Sequence, residues 1–441
     1  MSEYKQPNNE SEFENNFSQI KPLMNDTQAY YESSRCLFCY DAPCVSACPT
    51  GIDIPLFIRQ INSGNVTGSA KTIYDSNYLG NACGKVCPTE VLCEGACVYN
   101  LQDVKAIEIG RLQNYATDKA IKNNIEFFTA GKSNGKKVAV IGAGPAGISC
   151  ACELRRSGFE VDIFEAKEKP SGLTLYGVAP YKITNEEALN EINYLQKQLG
   201  FRIIFSTFIS SKEDFKKLED EYDAVFIGIG LGKTNYVNIK GEDLENCFGA
   251  VEFISELKIN QHKVKAGSRV IVLGGGNTAM DAASESARLG ADEVILAYRR
   301  GKEEMGAYDF EYELAKDAGV QGLFNVSPIE ITGNEKVSGV KFIKTKTDNG
   351  KVENIDGSEF TIECDMVIKA TGQMKQSDLF ENISGLEADE KGRIKINKTY
   401  QTTNPKYFSG GDVISGGKEV VNAVAEGKAA GKGIEEYLLK I

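Results

Sequence analysis

Lys137-Val138-Ala139-Val140-Ile141-Gly142-Ala143-Gly144-Pro145-Ala146-Gly147 reads as a buried strand that turns on glycines into a helix running to Ser157-Gly158. A second strand, Val161-Asp162-Ile163-Phe164, follows and ends on Glu165. Strand, glycine turn, helix, strand and acid in this order make a dinucleotide-binding unit. The glycines admit a pyrophosphate to the helix N-terminus, and the acid accepts from a ribose hydroxyl.

The unit recurs. Arg269-Val270-Ile271-Val272-Leu273 leads into Gly274-Gly275-Gly276-Asn277-Thr278-Ala279, a helix to Leu289-Gly290 and a strand from Val294 to Tyr298. Here the strand closes on Arg299-Arg300. Two guanidinium groups at that place suit a 2′-phosphate and favour NADPH, although Glu303 and Glu304 follow closely enough to neutralise an ordinary solvated pair. Each unit is followed by a buried strand ending in glycine, Ala224 to Gly230 and Met366 to Gly372, of the kind that brings backbone close to a cofactor. Finally, Tyr407-Phe408-Ser409-Gly410-Gly411-Asp412 precedes an alanine-rich helix from about Glu419 to Leu439. This arrangement would set Asp412 and that helix N-terminus beside a flavin. An acid-ended unit followed by an arginine-ended one reads as FAD followed by NAD(P)H, with hydride passing from nicotinamide to flavin.

Upstream, eight of the twelve cysteines fall between Cys36 and Cys97, as Cys36-x2-Cys39-x4-Cys44-x3-Cys48-Pro49 and Cys83-x3-Cys87-Pro88-x4-Cys93-x3-Cys97. Cys runs closed by Cys-Pro resemble the ferredoxin pattern that holds [4Fe–4S] clusters and shares ligands between two of them. The competing reading is structural zinc, since Cys-x2-Cys also opens zinc ribbons. Between the runs, apolar residues from Leu56 to Asn77 recur at helical spacing around Gly64 and predict two helices, and Ile107 to Ala116 predicts another. Residues 1 to about 30 read as a loosely held arm ending in a short helix, and Gly131 to Gly135 as a linker. Cys150, Cys152, Cys247 and Cys364 make no convincing redox pair and read as small core residues, so the clusters become the exit for electrons.

A net charge of −12 over 441 residues argues against nucleic acid or anionic membrane as the main partner. With no apolar run approaching 18 residues and no basic leader at the N-terminus, the chain is expected to be cytoplasmic. One His, His262, in a polar segment reads as a solvated surface residue rather than a catalytic one, so imidazole acid–base triads are essentially unavailable.

From Arg35-Cys36 to Tyr437 the residues resemble the electron-input half of dihydropyrimidine dehydrogenase, closely related to the small subunit of glutamate synthase. The resemblance implies an α/β architecture: a helical iron–sulfur domain (1–130), then interleaved Rossmann-like domains for FAD (136–240 and 366–441) and NAD(P)H (241–365). It assigns one [4Fe–4S] cluster to Cys36, Cys39, Cys44 and Cys97, and a second to Cys48, Cys87, Cys93 and Gln113, leaving Cys83 unligated. Gln113 falls where the dehydrogenase branch has its Gln ligand and the synthase branch has Glu. For FAD it implicates Gly142, Gly144, Pro145, Ala146, Gly147, Glu165, Leu173, Lys182, Gly411, Asp412 and Val420. For NAD(P)H it implicates Gly275, Asn277, Thr278, Arg299, Arg300, Ala370, Thr371 and Gly372. Two departures stand out: Ser171-Gly172 replaces a usual Gly-Gly, and Gly306 stands where the NADPH-using enzyme has another Arg. The choice between NADH and NADPH stays open. With the chain ending at Ile441 after the last flavin helix, the resemblance implies a second, FMN-containing subunit that reduces uracil or thymine, in a heteromer with two copies of each chain. The alternatives are a glutamate synthase small subunit or NAD(P)H:ferredoxin-type input module, and a non-catalytic assembly subunit holding zinc.

Overall fold

The computed structural model describes residues 4–348 and 350–440. Fourteen strands follow in order: Lys137–Ile141 (β1), Glu160–Phe164 (β2), Arg202–Ile204 (β3), Ala224–Ile227 (β4), Cys247–Gly249 (β5), Arg269–Leu273 (β6), Glu293–Tyr298 (β7), Gln321–Phe324 (β8), Val326–Gly333 (β9), Val337–Asp348 (β10), Lys351–Asn354 (β11), Phe360–Glu363 (β12), Met366–Lys369 (β13) and Tyr407–Ser409 (β14). The chain divides into two compact units.

One unit, Ile20–Leu175, Lys182–Leu231 and Lys375–Ile441, joins the cysteine-rich helices to a five-stranded parallel sheet ordered β14-β4-β1-β2-β3. β1 and β4 are buried almost throughout, as parallel strands covered on both faces must be. The two helices expected around Gly64 are Ile54–Asn62 and Val66–Ser76, with Gly64 at φ +81° between them. The sequence 131–135 is no free linker: Gly131 N–H donates to the Arg155 carbonyl at 2.8 Å and Asn134 N–H to that of Gly158 at 3.1 Å, tying it to the end of helix Pro145–Arg156.

The other unit, Met1–Gln19, Tyr176–Tyr181 and Gly232–Met374, carries a second parallel sheet, β5-β13-β6-β7-β8, and an antiparallel one in which β10 pairs with β9, β11 and β12. Against expectation, the described part of the N-terminal arm is held. Helix Glu10–Asn16 ends with the Asn16 amide donating to the Arg288 carbonyl at 2.7 Å, and the Arg288 guanidinium returns a bond to the Asn16 carbonyl at 2.6 Å. Its polar composition concealed partners more than 250 residues away. Among the described residues no helix is long and apolar enough to cross a membrane.

Candidate functional site

The ends of β1, β2 and β4 open onto a cavity of about 300 Å³. Gly142, Gly144, Pro145, Ala146, Glu165, Leu173, Gly411, Asp412 and Val420 line it, whereas Gly147 and Lys182 do not. Gly147 lies behind the turn, where a Cβ would run into the Gly142 carbonyl. Gly144 faces open space, with its nearest neighbour, Gly172 Cα, 3.8 Å from a would-be Cβ, so a ligand can approach its backbone. Glu165 is positioned by its own surroundings, its carboxylate accepting from the N–H of Ala143 at 2.7 Å and of Lys167 at 2.9 Å. Ser171 sits at φ +88°, a left-handed conformation that explains why glycine is usual there. Lys182 is buried.

On the far wall, Asp412 accepts from Lys418 N–H at 3.0 Å, and burial pushes its carboxyl up against that bond and the Lys375 charge. The turn before it depends on Glu426, whose carboxylate accepts from Gly411 N–H at 2.8 Å. Glu426 escaped the sequence reading; its only signal was an acid inside an alanine-rich helix. That helix, Val420–Leu439, contributes wall to two cavities: Val420 lines the first and Val421 lines the next.

This second cavity is enclosed by Cys48, Cys83, Cys87, Cys93 and Gln113. Gln113 is nearly buried and its Nε2 donates to the Gly80 carbonyl at 2.6 Å, which leaves the amide oxygen as the end that can face the cavity. A third cavity is bounded by Cys36, Cys39, Cys44 and Cys97, and Ile54 forms wall in both. All twelve cysteines are free thiols. Burial pushes Cys44 up to about 12, reinforced by Cys36 and Cys97, and raises Cys36 and Cys93 as well. Thiolates in these pockets therefore require positive charge from bound iron, and loading releases protons. Four cysteines around the third cavity, and three cysteines with the Gln113 amide oxygen around the second, fit the ligand sets that the resemblance implies for two clusters. Among the described residues no three His, Cys, Asp or Glu side chains gather for a single ion. Cys150, Cys152 and Cys364 are buried and Cys247 partly so, in packing roles.

In the unit built on β6, helix Asn277–Arg288 starts from the second glycine turn. A Cβ on Gly275 would meet the Tyr298 ring at 2.6 Å, and Asn277 Oδ1 accepts from Tyr308 N–H at 3.0 Å. Thr278 is exposed at the helix start. After β7, Arg299 is exposed and makes no ion pair among the described residues, while Arg300 stands 4.0 Å from Glu304. Glu304 is itself engaged by Gly301 N–H and the Thr347 hydroxyl, both at 3.1 Å, so the expected neutralisation reaches Arg300 only loosely. Beyond β13, Ala370 N–H donates to the Leu273 carbonyl, Gly372 turns at φ +85°, and Thr371 Oγ1 donates to the Asn235 carbonyl at 2.9 Å. A buried Lys369–Glu242 pair at 2.9 Å props this turn, a contact across 127 residues that no local pattern announces.

Residues 136–427 match the pyridine nucleotide-disulphide oxidoreductase family, and 13–125 match dihydropyrimidine dehydrogenase domain II, 4Fe-4S cluster. The chain is 34% identical to the glutamate synthase [NADPH] small chain of Escherichia coli (strain K12), covering 96% of this chain and 94% of that one. It is 33% identical to the NAD-dependent dihydropyrimidine dehydrogenase subunit PreT of the same organism, covering 96% and 98%. Its fold is similar to that of Mycobacterium tuberculosis FprA in complex with NADPH, with TM-score 0.57 and 20% identity over 69% of this chain and 86% of that one. It is likewise similar to T. acidophilum thioredoxin reductase, with TM-score 0.56 and 23% identity over 69% and 99%.

Proposed function

The chain belongs to the pyridine nucleotide-disulphide oxidoreductase family, with a dihydropyrimidine dehydrogenase-type 4Fe-4S domain ahead of it, and on that premise we propose that it is the NAD(P)H-oxidising subunit of a dihydropyrimidine dehydrogenase. One relative is named for NADPH and the other for NAD, and the families that this chain matches imply FAD and a 4Fe-4S cluster. When bound, these groups turn a two-electron hydride into single electrons.

The observation that carries the reading is the continuity of three cavities. Adjacent residues Val420 and Val421 wall the flavin cavity and the Cys48/Cys87/Cys93/Gln113 cavity, and Ile54 walls that cavity and the Cys36/Cys39/Cys44/Cys97 one. Electrons leave the flavin in that order, through two clusters, and exit beside Leu37 and Tyr40, which are 56% and 105% exposed. The backbone from Gly142 to Gly147 receives the pyrophosphate, Glu165 keeps spare lone pairs for a ribose hydroxyl, and Gly411, Asp412 and Val420 border the ring. Leu173 packs beside it, and Lys182, which the resemblance also implicates, is buried and outside the cavity lining. On the nicotinamide side Gly275, Asn277 and Thr278 take the phosphates, Arg299 and Arg300 the adenosine ribose, and Ala370 to Gly372 the approach to the ring. No strong general acid or base is needed, because hydride transfer rests on positioning.

Gln113 at the second cavity supports the dehydrogenase branch, with a pyrimidine-reducing, FMN-containing partner in a heteromer. The 34% identity to a glutamate synthase small chain supports a second reading, in which the same chain feeds a synthase partner. Anaerobic stopped-flow reduction of the co-purified complex by NADH and by NADPH, followed by uracil, decides between them. Reoxidation by uracil is expected; reoxidation only by glutamine with 2-oxoglutarate would transfer the chain to the synthase.

A further inference from the structure

In the first nucleotide unit an acid closes the second strand, Glu165 following β2 directly. In the second unit Arg299 takes that place after β7, and an acid arrives only later, at Glu304. The segment that carries it is folded back onto the glycine turn. Ala307 N–H donates to the Gly275 carbonyl at 2.9 Å and Tyr308 N–H to Asn277 Oδ1 at 3.0 Å. The Tyr298 hydroxyl, whose ring packs against Gly275, donates to the Glu304 carbonyl at 2.9 Å. These bonds return Glu304 towards the end of β7, the place where the acid of a dinucleotide-binding unit meets the adenosine ribose.

The Glu304 carboxylate is fixed and only half engaged. Its Oε2 accepts from Gly301 N–H and from the Thr347 hydroxyl, both at 3.1 Å. Its Oε1 has Arg300 Nε, at 4.0 Å, as its one ion-pair neighbour among the described residues. Thr345, on the same face of β10 as Thr347, donates to the Arg299 carbonyl at 2.8 Å, so one strand fixes the acid relative to the arginines. Lys302 is turned over the Tyr312 ring, 5.4 Å from its centroid, and makes no ion pair with Glu304 among the described residues. The Glu304 side chain stays 40% exposed, open to a ligand.

We propose that Glu304 is a specificity-determining residue that tilts the choice of nucleotide towards NADH, its carboxylate accepting from the 2′-hydroxyl of the adenosine ribose and repelling a 2′-phosphate. This rests on the assignment of Arg299 and Arg300 to that ribose. A phosphate monoester carries about −1.5 to −2 charges and meets like-charge repulsion beside an acid. The arginines alone would favour the phosphate; an acid held beside them offsets part of that preference without displacing either guanidinium.

The test compares the full chain with Glu304→Gln, whose amide oxygen can still accept from Gly301 and Thr347 while the charge is lost. Dissociation constants for NAD+ and NADP+ from isothermal titration calorimetry are set beside kcat/KM for NADH and NADPH in dye reduction, with FAD, iron and melting temperature as controls. In the variant, NADP+ and NADPH should gain about tenfold relative to NAD+ and NADH, the size of a like-charge contact at a partly exposed site. The gain should shrink as salt screens the charge. Glu303→Gln, the same charge change at the neighbouring exposed acid, should leave the ratio where it was. An unchanged ratio in Glu304→Gln, or equal changes for both nucleotides, would overturn the proposal. The same gain from Glu303→Gln would overturn it too, by making the effect one of net charge alone. A full chain that neither binds nor oxidises either nucleotide would be a separate failure, that of the NAD(P)H-oxidising function itself, and the proposal would fall with it.

Discussion

Replacing Gly427 by alanine should loosen FAD although Gly427 itself does not line the cavity. Gly427 lies on helix Val420–Leu439 where it crosses helix Pro145–Arg156, and Ser149 Oγ donates across the crossing to the Val424 carbonyl at 2.7 Å. A Cβ on Gly427 would stand 2.8 Å from the Ala146 carbonyl carbon and 2.9 Å from its Cα, with the oxygen closer still, where ordinary contact begins at 3.4 Å. All three are backbone atoms of the helix's first turn, which the proposed function assigns to the pyrophosphate, so no side chain can swing away. Overpacking of this kind costs about 1–3 kcal/mol. Alanine's better helix propensity returns about 1 kcal/mol wherever the helix itself sits, but it does not restore the position of the turn. If most of the strain appears in cofactor binding, FAD weakens by about tenfold for each 1.4 kcal/mol. Flavin fluorescence during reconstitution measures the affinity, with iron content as the control. Gly431→Ala, whose Cβ would meet Glu153 Cβ at 2.9 Å and the nearest backbone atom, the Cys150 carbonyl oxygen, only at 3.3 Å, acts one turn further from the glycine turn and should do less to FAD. FAD affinity unchanged in Gly427→Ala would refute the reasoning, because the crossing would then be free to adjust.

Glu191 is fully buried, accepts from the Tyr74 hydroxyl at 3.1 Å besides two backbone amides, and burial raises its carboxyl from 4.5 to about 7. The folded chain thus binds this proton more tightly than the unfolded one. Its stabilisation is complete below about pH 4.5 and lost as pH rises through about 7, roughly 3 kcal/mol in all at 1.36 kcal/mol per unit. The melting temperature of the parent relative to Glu191→Gln should accordingly fall between pH 5 and 8, and a constant difference would contradict the shift. Cys44→Ala should remove one cluster yet leave FAD, NAD(P)H-dependent dye reduction and fast reduction of the other cluster. Cys87→Ala should instead slow reduction of the cluster that remains, and equal rates in the two variants would break the proposed order. Arg299→Ala should raise KM about tenfold for NADPH, the loss of one charged hydrogen bond, and leave NADH nearly unaffected. A uniform effect on both nucleotides would mean that no 2′-phosphate is read there.

Both parallel sheets and both glycine turns were legible because their signals are local: a run such as Val138 to Ile141, a turn such as Gly142 to Gly147, and an acid or arginine at a fixed offset. The grouping of cysteines around two cavities came from the resemblance, since eight thiols in two runs allow many pairings. What stayed hidden is non-local. Glu426 reaches Gly411 across 15 residues, Lys369 reaches Glu242 across 127, and Asn16 reaches Arg288 across 272. Composition misled in the last case, because Asn, Glu and Gln mark disorder only when nothing accepts their hydrogen bonds.

The way the cysteine-rich helices are fastened to the flavin sheet within their unit bears on electron transfer. An apolar seam would hold them, but it would tolerate sliding, since volume and pattern leave register underdetermined. Here the seam carries buried polar groups. Tyr78 donates to Glu153 at 2.6 Å and receives from Arg156 at 3.0 Å, Lys85 pairs with Glu187 at 3.0 Å with its own side chain wholly buried, and Glu191 caps the helix that bears Cys83. Each such group costs desolvation unless its partner is in place, so displacement by even one turn would strand several at once. The arrangement contributes less to stability than to a single allowed register. That register keeps Val421 on the wall of the second cavity while Val420 lines the first, the spacing on which the proposed electron transfer between them would depend.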